Sequence, residues 1–252
     1  KRVASKKVAK NGAVLRHDTI AYDPAGTPIM PGASYSAARP TRYANEELQY
    51  DAAGRLVARV RDAGTRRYEW NSLDQLVRVI DGDRIVEMTY DANGRRMQKR
   101  VRHASNVVSS VSYVWNRNSL AQEVDELTGR ARTYIRAPNK WQPIGHVDAI
   151  GDQERAYLYV EGPSGGVERV LDESGAVVWA ADLSVYGDAA ITREAIDISL
   201  RYANQFYDAD VGLTYNRFRW FDARLGVYVT PDPWLLRGTL APRNYVDNPL
   251  VQ

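Results

Sequence analysis

Apolar and polar residues alternate along most of the chain with the two-residue period that is typical of half-buried β-strands. Segments 76–80 and 85–90 are also rich in β-branched and aromatic side chains, which favour strands. In segment 56–61 the period predicts one apolar face and one face that carries arginines: Leu56, Ala58 and Val60 against Val57, Arg59 and Arg61. The pattern predicts an all-β fold.

Helical signals are weak by comparison. No stretch of roughly ten residues follows a convincing 3.6-residue apolar period, and residues 189–200 are the best place for a short helix. The proline-rich stretch 24–40 predicts an irregular loop, and two further loops are predicted at 139–143 and 161–166.

A short unit recurs along the chain. Tyr-Asp-Ala-Ala-Gly-Arg-Leu at 50–56 returns as Tyr-Asp-Ala-Asn-Gly-Arg at 90–95, and a degenerate copy begins at Trp70, so the spacing is 20 residues each time. In the first copy, the Asp51 carboxylate can accept hydrogen bonds from backbone N–H groups, and Gly54 can adopt a positive φ. Each unit therefore predicts a strand, a tight turn and a second strand that buries its apolar face against neighbouring units.

A more specific pattern follows in the last third of the chain. Residues 204–233 contain Asn-Gln-x-Tyr-Asp, then Gly-Leu-x-Tyr-Asn-Arg-x-Arg, then Gly-x-x-x-Thr-x-Asp-Pro. A Gly-x-Val-x-Trp-x-Ala stretch begins at Gly175, and the tail at 244–249 reads Asn-Tyr-Val-Asp-Asn-Pro. Over residues 41–252 these motifs and the Tyr-Asp units resemble the RHS/YD-repeat family, which includes teneurins and the shell subunits of insecticidal toxin complexes, with its RHS-associated core.

The resemblance implies an antiparallel sheet of YD hairpins that curves into part of a hollow shell and is closed by the core, as by a plug. It divides the chain into a lead-in at 1–40, YD-repeat hairpins at 41–180 and the RHS-associated core at 181–252. The chain departs from the family after Asp-Pro, where Trp-Leu-Leu-Arg-Gly replaces the usual glycine-rich sequence. The family's cleavage signal does not appear before Gln252.

The function that the resemblance implies is encapsulation of a C-terminal toxin by a bacterial polymorphic toxin, exported by a type VI system. The expected partners are the remainder of the shell, the enclosed toxin, and a secretion-system spike protein or chaperone. The protein would reside in the bacterial cytoplasm before export and then reach the target cell or the extracellular space. The alternative is an extracellular adhesion or carbohydrate-binding module.

The resemblance also implies that an aspartate cleaves the toxin from the shell. By motif, Asp232 is the candidate catalytic residue and Asp247 a weaker second, with Arg224 or Arg219 in place of the arginine that precedes the aspartate in some relatives. Two neighbouring carboxylates could act as acid and base on a water molecule. The alternative is that Asp232 only starts a turn before Pro233. No turnover enzyme is expected in this part of the chain.

Other chemistry has little support in the sequence. The chain lacks cysteine, which excludes a thiol nucleophile and a cysteine-ligated zinc site. Gly162 begins a Gly-x-Ser-x-Gly match, but no histidine follows it as a nucleophile elbow requires, so a hairpin loop is preferred. His17, His103 and His146 lack metal-ligand spacing. We expect no cofactor and no metal.

Charge and aromatic content favour a solvated protein surface over a nucleic-acid interface. The net charge is only +3, and the basic cluster within residues 1–10 is best explained as a solvated terminus. The chain has 16 Tyr and 6 Trp but 3 Phe. Aromatic and arginine residues interleave between 202 and 228, where cross-strand packing is preferred to a base-stacking platform.

No membrane span or leader is predicted, and the start at Lys1 suggests an internal fragment or a processed product.

Overall fold

The computed structural model describes residues 3–10, 13–24, 26–37, 39–202 and 204–232, and every regular element in these ranges is a β-strand. No helix within this part of the chain is long and apolar enough to cross a membrane. The strands form three antiparallel sheets of 3, 16 and 4 strands. The all-β prediction is confirmed.

The first sheet has the order β1-β2-β3, with β1 (Val3–Lys10), β2 (Ala13–Tyr22) and β3 (Pro28–Ile29). The long sheet pairs its strands in chain order: β4 (Ser34–Ser36), β5 (Arg39–Tyr43), β6 (Glu46–Tyr50), β7 (Leu56–Arg61), β8 (Gly64–Trp70), β9 (Leu76–Asp81), β10 (Arg84–Tyr90), β11 (Arg96–His103), β12 (Asn106–Asn116), β13 (Ser119–Asp125), β14 (Ala131–Arg136), β15 (Pro143–Ile150), β16 (Gln153–Glu161), β17 (Val167–Leu171), β18 (Val177–Leu183) and β19 (Ala189–Glu194). The small sheet contains β20 (Phe206–Asp208), β21 (Leu213–Asn216), β22 (Arg219–Asp222) and β23 (Val227–Tyr228).

The long sheet bends around the small sheet. Residues of β6 to β11 form one apolar cluster with Tyr215 and Trp220 of the small sheet, whereas residues of β12 to β14 and β16 to β18 form another with Phe206 of the same sheet. Tyr186, just after β18, contacts Phe221. A flat sheet of this many strands would be about 70 Å wide, far wider than a four-stranded sheet can cover. The small sheet therefore fills the space that the curved long sheet encloses.

The predicted YD turns are present. The Asp51 carboxylate accepts hydrogen bonds from the backbone and side chain of Arg55, at 2.8 and 2.7 Å, and the Gly54 amide donates to the Asp51 carbonyl at 2.9 Å. Gly54 has a φ of 81°, as the sequence predicts. In the degenerate copy, Asp74 takes the equivalent position with a φ of 57°, a conformation that aspartate tolerates better than most side chains.

A β-bulge follows each of these turns. Tyr50 pairs with Leu56 but Gln49 pairs with Ala58, so Val57 is an extra residue in β7. The same shift occurs in β9 and β11. One extra residue inverts the alternation of side chains between the two faces of a strand.

The bulge overturns the predicted faces of β7. Arg59 was expected on the solvent face, yet its exposed fraction is 3%, because the bulge turns it towards the small sheet. Val60, expected on the buried face, is half-buried instead. The alternation of side chains therefore breaks at Val57, the second residue of β7. Nothing in the sequence around Val57 indicates the bulge.

Two local predictions were wrong. Residues 189–200 do not form a helix: residues 189–194 are β19, which pairs with β18 at the end of the long sheet. The stretch 24–40 is not a continuous loop, because β3, β4 and the start of β5 cross it. Its prolines lie where a ladder tolerates them, with Pro28 in an end strand and Pro40 beside a bulge.

Other predictions hold or stay open. The loops predicted at 139–143 and 161–166 are confirmed except for one residue each, since Pro143 already begins β15 and Glu161 still belongs to β16. Strands β18 and β19 extend the long sheet past residue 181. A division of the chain into domains at that point stays a prediction.

Candidate functional site: the closure between the long and small sheets

A buried ion pair joins the two sheets at one end of the small sheet. Arg59 of the long sheet donates a hydrogen bond to the Asp222 carboxylate, and the two side chains are 3% and 1% exposed. Glu46 lies 3.0 Å from Arg59 and 2.8 Å from Arg224. Burial opposes charge on these groups, but the carboxylates of Asp222 and Glu46 hold the pKa of Arg59 above its ordinary value. The guanidinium groups likewise lower the pKa of Glu46 despite its burial.

A second buried cluster surrounds Asp208. Its carboxylate accepts hydrogen bonds from Arg96 at 2.7 Å and from Lys99 at 3.0 Å. Burial alone would raise the pKa of Asp208, but the charges of Lys99 and Arg96 lower it to about 2. Lys99 also lies 2.8 Å from Asp210, which forms a further ion pair with Arg84. In the second cluster the small sheet supplies the carboxylates and the long sheet supplies the cations, whereas in the first cluster each side supplies one of each.

The aromatic side chains complete the closure by packing. The Arg96 guanidinium lies over three rings, 4.3 Å from the centroid of Tyr113, 4.8 Å from Tyr215 and 5.4 Å from Trp220. Such contacts stabilise a desolvated cation. The preference for packing over a stacking platform is confirmed for Tyr215 and Trp220, which are buried, whereas Phe218 is 65% exposed.

The structure brings Asp232 together with Arg219. Their carboxylate and guanidinium groups are 3.2 Å apart. Arg219 lies 3.5 Å from the centroid of the Tyr228 ring, and the Tyr228 hydroxyl accepts a 2.6 Å hydrogen bond from Asn216. A cavity of about 770 Å³ adjoins this cluster, with Trp220 and Phe218 in its wall. An accessible carboxylate held by an arginine beside a cavity is chemically suited to act on a bound polypeptide or water.

The other predicted site residues lie elsewhere. Arg224 forms its ion pairs with Glu46 and Asp222, so it is engaged in the closure and not with Asp232. Asp247 lies outside the described residues. A catalytic role for Asp232, Asp247 or Arg224 stays a prediction.

The rejected motifs have structural explanations. Residues 162–166 form the turn between β16 and β17, where the Gly165 amide donates to the Gly162 carbonyl at 2.9 Å. The preference for a hairpin loop there is confirmed. Among the described residues, no group of three or more histidine, aspartate or glutamate side chains could hold a metal ion.

Comparison with known proteins decides the family. The model of the Teneurin YD-shell family matches residues 35–245. The chain belongs to the Teneurin YD-shell family.

Bacterial relatives of this YD-shell chain carry toxin names. Double-stranded DNA deaminase toxin A of Burkholderia cenocepacia is 29% identical over 81% of this chain and 16% of its own length. The probable deoxyribonuclease RhsA of Dickeya dadantii is 29% identical over 97% of this chain and 18% of its own length. Toxin protein Tse5 of Pseudomonas aeruginosa is 24% identical over 86% of this chain and 19% of its own length. The chain thus spans less than a fifth of these relatives.

Solved structures share the fold. The crystal structure of TcdB2-TccC3-Cdc42 covers 98% of this YD-shell chain and 16% of its own chain, with 16% identity and a TM-score of 0.63. The match to the crystal structure of TcdB2-TccC3 covers 97% of this chain and 16% of the solved chain, with 16% identity and a TM-score of 0.61. These matches confirm the curved β architecture.

Sequence reasoning missed the buried pairs of the closure, although one signal pointed to them. Asp208 and Asp222 occupy YD-like turn positions, since the amides of Gly212 and Gly226 donate to their carbonyls at 2.7 and 2.8 Å. In the YD-shell repeats, the aspartate carboxylate bonds within its own turn. In the small sheet, the carboxylates of Asp208 and Asp222 also form ion pairs with arginines of the long sheet. Those pairs are visible only in the three-dimensional structure.

Proposed function

We propose that this chain is the C-terminal, closing part of a hollow β-shell that encapsulates the toxin domain of a bacterial polymorphic toxin. The observation that carries the proposal is the closure: a small sheet held inside a curved sheet by buried ion pairs such as Arg59–Asp222. A long sheet that surrounds a docked small sheet has the form of a closed end of a container. The relatives that carry toxin names favour this function over that of an adhesion module.

The relatives support a shared container with different cargoes. A relative named as a deaminase toxin and one named as a probable deoxyribonuclease both align with most of this chain. The part that they share with this chain is only 16% and 18% of their own length. The toxic activity of the parent protein therefore belongs to a segment outside these residues, and its identity is not encoded here.

Self-cleavage of the toxin from the shell is part of the proposal. The Asp232 carboxylate, positioned by Arg219, would act as the base that activates a water molecule. The second carboxylate that such chemistry needs would come from Asp247 as the acid. The small sheet would then serve both as a seal and as the support of the cleavage centre.

The proposed life cycle follows from this arrangement. The parent protein would be made in the bacterial cytoplasm with its cargo enclosed, then exported by a type VI system and delivered to a target cell. Its partners would be the remainder of the shell, the toxin, and a spike protein or chaperone of the secretion machinery. No nucleic-acid partner is proposed for the shell itself.

Intact mass spectrometry of the full-length parent protein tests the proposal. The wild type, purified at neutral pH, should consist of two co-eluting pieces that separate just beyond Gln252, and Asp232→Asn should stay whole. Asp152→Asn, in the exposed turn between β15 and β16, is the matched control and should cleave normally. If the wild type stays whole, self-cleavage is wrong. If isolated shell and toxin do not co-elute after protease cleavage at the boundary, encapsulation is wrong as well.

A further inference from the structure

His146 in β15 is a buried histidine without hydrogen bonds. Its exposed fraction is 1%, and neither ring nitrogen has a hydrogen-bond partner among the described residues. The Asp148 carboxylate, two residues along the same strand, lies 3.7 Å from Nε2, which is too long for a hydrogen bond. Buried polar groups are rarely left unpaired, so an unpaired imidazole requires an explanation.

Aromatic rings surround the imidazole. Tyr157 on β16 stacks on it with a centroid distance of 4.7 Å and an interplanar angle of 20°. Tyr159 lies at 5.4 Å and Tyr134 of β14 at 6.5 Å. This desolvated environment favours the neutral imidazole, and burial lowers the pKa of His146 below its ordinary value.

Most of the charged groups on this face of the sheet are already engaged. Arg132 of β14 donates hydrogen bonds to both oxygens of Asp148, each at 2.8 Å. Arg155 of β16 pairs in register with Asp148 and is exposed. Glu123 of β13 accepts a 2.7 Å hydrogen bond from the Tyr134 hydroxyl. The Arg136 guanidinium lies 5.9 Å from the centroid of the Tyr134 ring.

Arg132 connects this cluster to the segment that leads into the small sheet. Its guanidinium donates a 2.7 Å hydrogen bond to the carbonyl of Asp197, whose carboxylate is held by Arg130 at 2.8 Å. Residue 197 lies between β19 and β20. The neighbouring Ile198 and Leu200 are buried in the same apolar cluster as Phe206 of the small sheet. The Arg132–Asp148 pair therefore anchors the connection between the two sheets.

We propose that His146 makes this anchorage sensitive to acid. A protonated imidazole attracts the Asp148 carboxylate and competes for it with Arg132. It also adds a second buried cation beside that guanidinium. The hold of Arg132 on Asp197 weakens, and the connection to the small sheet opens more often. In a shell, this would loosen the seal when the surroundings become acidic.

The direction of the pH dependence follows from linkage. The folded state holds the pKa of His146 below the unfolded value of about 6.5. The folded form therefore binds fewer protons than the open form in the interval between those two values. Stability of the anchorage is fully present above about pH 6.5 and falls as the pH decreases below it. A single proton changes the opening equilibrium by up to about tenfold per pH unit.

Limited proteolysis of the 252-residue chain at pH 7.5 and pH 5.5 tests the proposal. Cleavage within residues 195–204, corrected for protease activity at each pH, should rise about five- to tenfold on acidification of the wild type. His146→Phe keeps a stacking ring but cannot bind a proton, and its cleavage should not rise. His103→Gln is the matched control, because His103 is 59% exposed beside Asp83, and it should behave as the wild type.

A rise in His146→Phe equal to that in the wild type would overturn the proposal. If that variant does not fold, the imidazole proton resonances of the wild type decide. His146 should titrate below its ordinary value of about 6.5, and the rise in cleavage should begin near pH 6.5 and level off where His146 itself is protonated. Titration of His146 at or above pH 6.5, or a rise in cleavage that begins only below the pH at which His146 is protonated, would be equally decisive against the proposal. Neither measurement depends on cargo or on self-cleavage, so this inference can fail without affecting the proposed function.

Discussion

The hydroxyl of Tyr90 donates a 2.8 Å hydrogen bond to the carbonyl of Leu76 in the preceding repeat. The indole of Trp70 does the same to the carbonyl of Leu56 at 2.7 Å. Both contacts span 14 residues, and both acceptors start the strand that follows a turn. The first residue of the YD unit is therefore an aromatic with a polar tip, because that tip joins one repeat to the one before it.

Tyr90→Phe should lower the free energy of unfolding by about 1 kcal/mol, since the Leu76 carbonyl loses a partner inside the protein. Tyr68→Phe is the matched control, because Tyr68 is buried and its hydroxyl has no hydrogen-bond partner among the described residues. It should be neutral or slightly stabilising. Urea denaturation measures both, and equal losses in the two variants would contradict the role of the Tyr90 hydroxyl.

Asp222→Asn should destabilise the chain by about 3 kcal/mol, because it leaves the buried Arg59 without its full counter-charge. The double variant Arg59→Met with Asp222→Leu should be less destabilised than Asp222→Asn, since it removes both buried charges. Glu87→Gln is the surface control, because its ion pair with Arg102 is 3.3 Å long and 40% exposed on each side. It should cost less than about 1 kcal/mol. If the double variant is less stable to unfolding than Asp222→Asn, this account of the closure is refuted.

Asp208 should make the closure sensitive to strong acid. Its pKa is lowered to about 2 in the folded state, against about 3.9 in an unfolded chain. The resulting stability is present above about pH 4 and is lost as the pH falls towards 2, in total about 2 to 3 kcal/mol. Denaturation between pH 5 and pH 2 should show a shallower decline in Asp208→Asn. The decline due to Asp208 begins near pH 4, whereas that due to His146 begins near pH 6.5, so the two onsets are separable in one titration.

Gly226→Ala should be more harmful than Gly175→Ala, although both glycines have a positive φ, of 68° and 83°. At Gly175 a Cβ would have no neighbour within 4 Å, so only the backbone strain of about 1 kcal/mol remains. At Gly226 it would lie 2.3 Å from the ring of Tyr186. That ring is held by a 2.7 Å hydrogen bond between the hydroxyls of Tyr186 and Tyr22. Similar melting temperatures in the two variants would contradict the tight packing at Tyr186.

The local part of this structure could be predicted, because the turns depend on residues that are close in sequence. Asp51 and Gly54 specify their turn almost alone, and the same holds for the copy at Asp91. The family could be predicted as well, since its motifs are local strings. The candidate site could be located only as far as Asp232, and of its two suggested arginines only Arg219 is the partner.

The remainder depends on pairing between distant residues. The bulge that turns Arg59 inward arises from strand register, which alternation alone does not specify. The partners of Asp208 lie 112 and 109 residues away in the chain. Residues 189–194 form a strand because β18 offers an edge to pair with, and that tertiary contact overrides a weak local preference.

The contacts between repeats also bear on how such a protein could change length over evolution. Each unit provides one donor, the aromatic tip, and offers one acceptor, the carbonyl that follows its turn. A duplicated unit would find both of its counterparts already in place, and a deleted unit would leave none behind. Gene duplication could therefore enlarge or shrink the enclosed volume one hairpin at a time, so that the container could be fitted to a cargo of a new size without a new kind of contact.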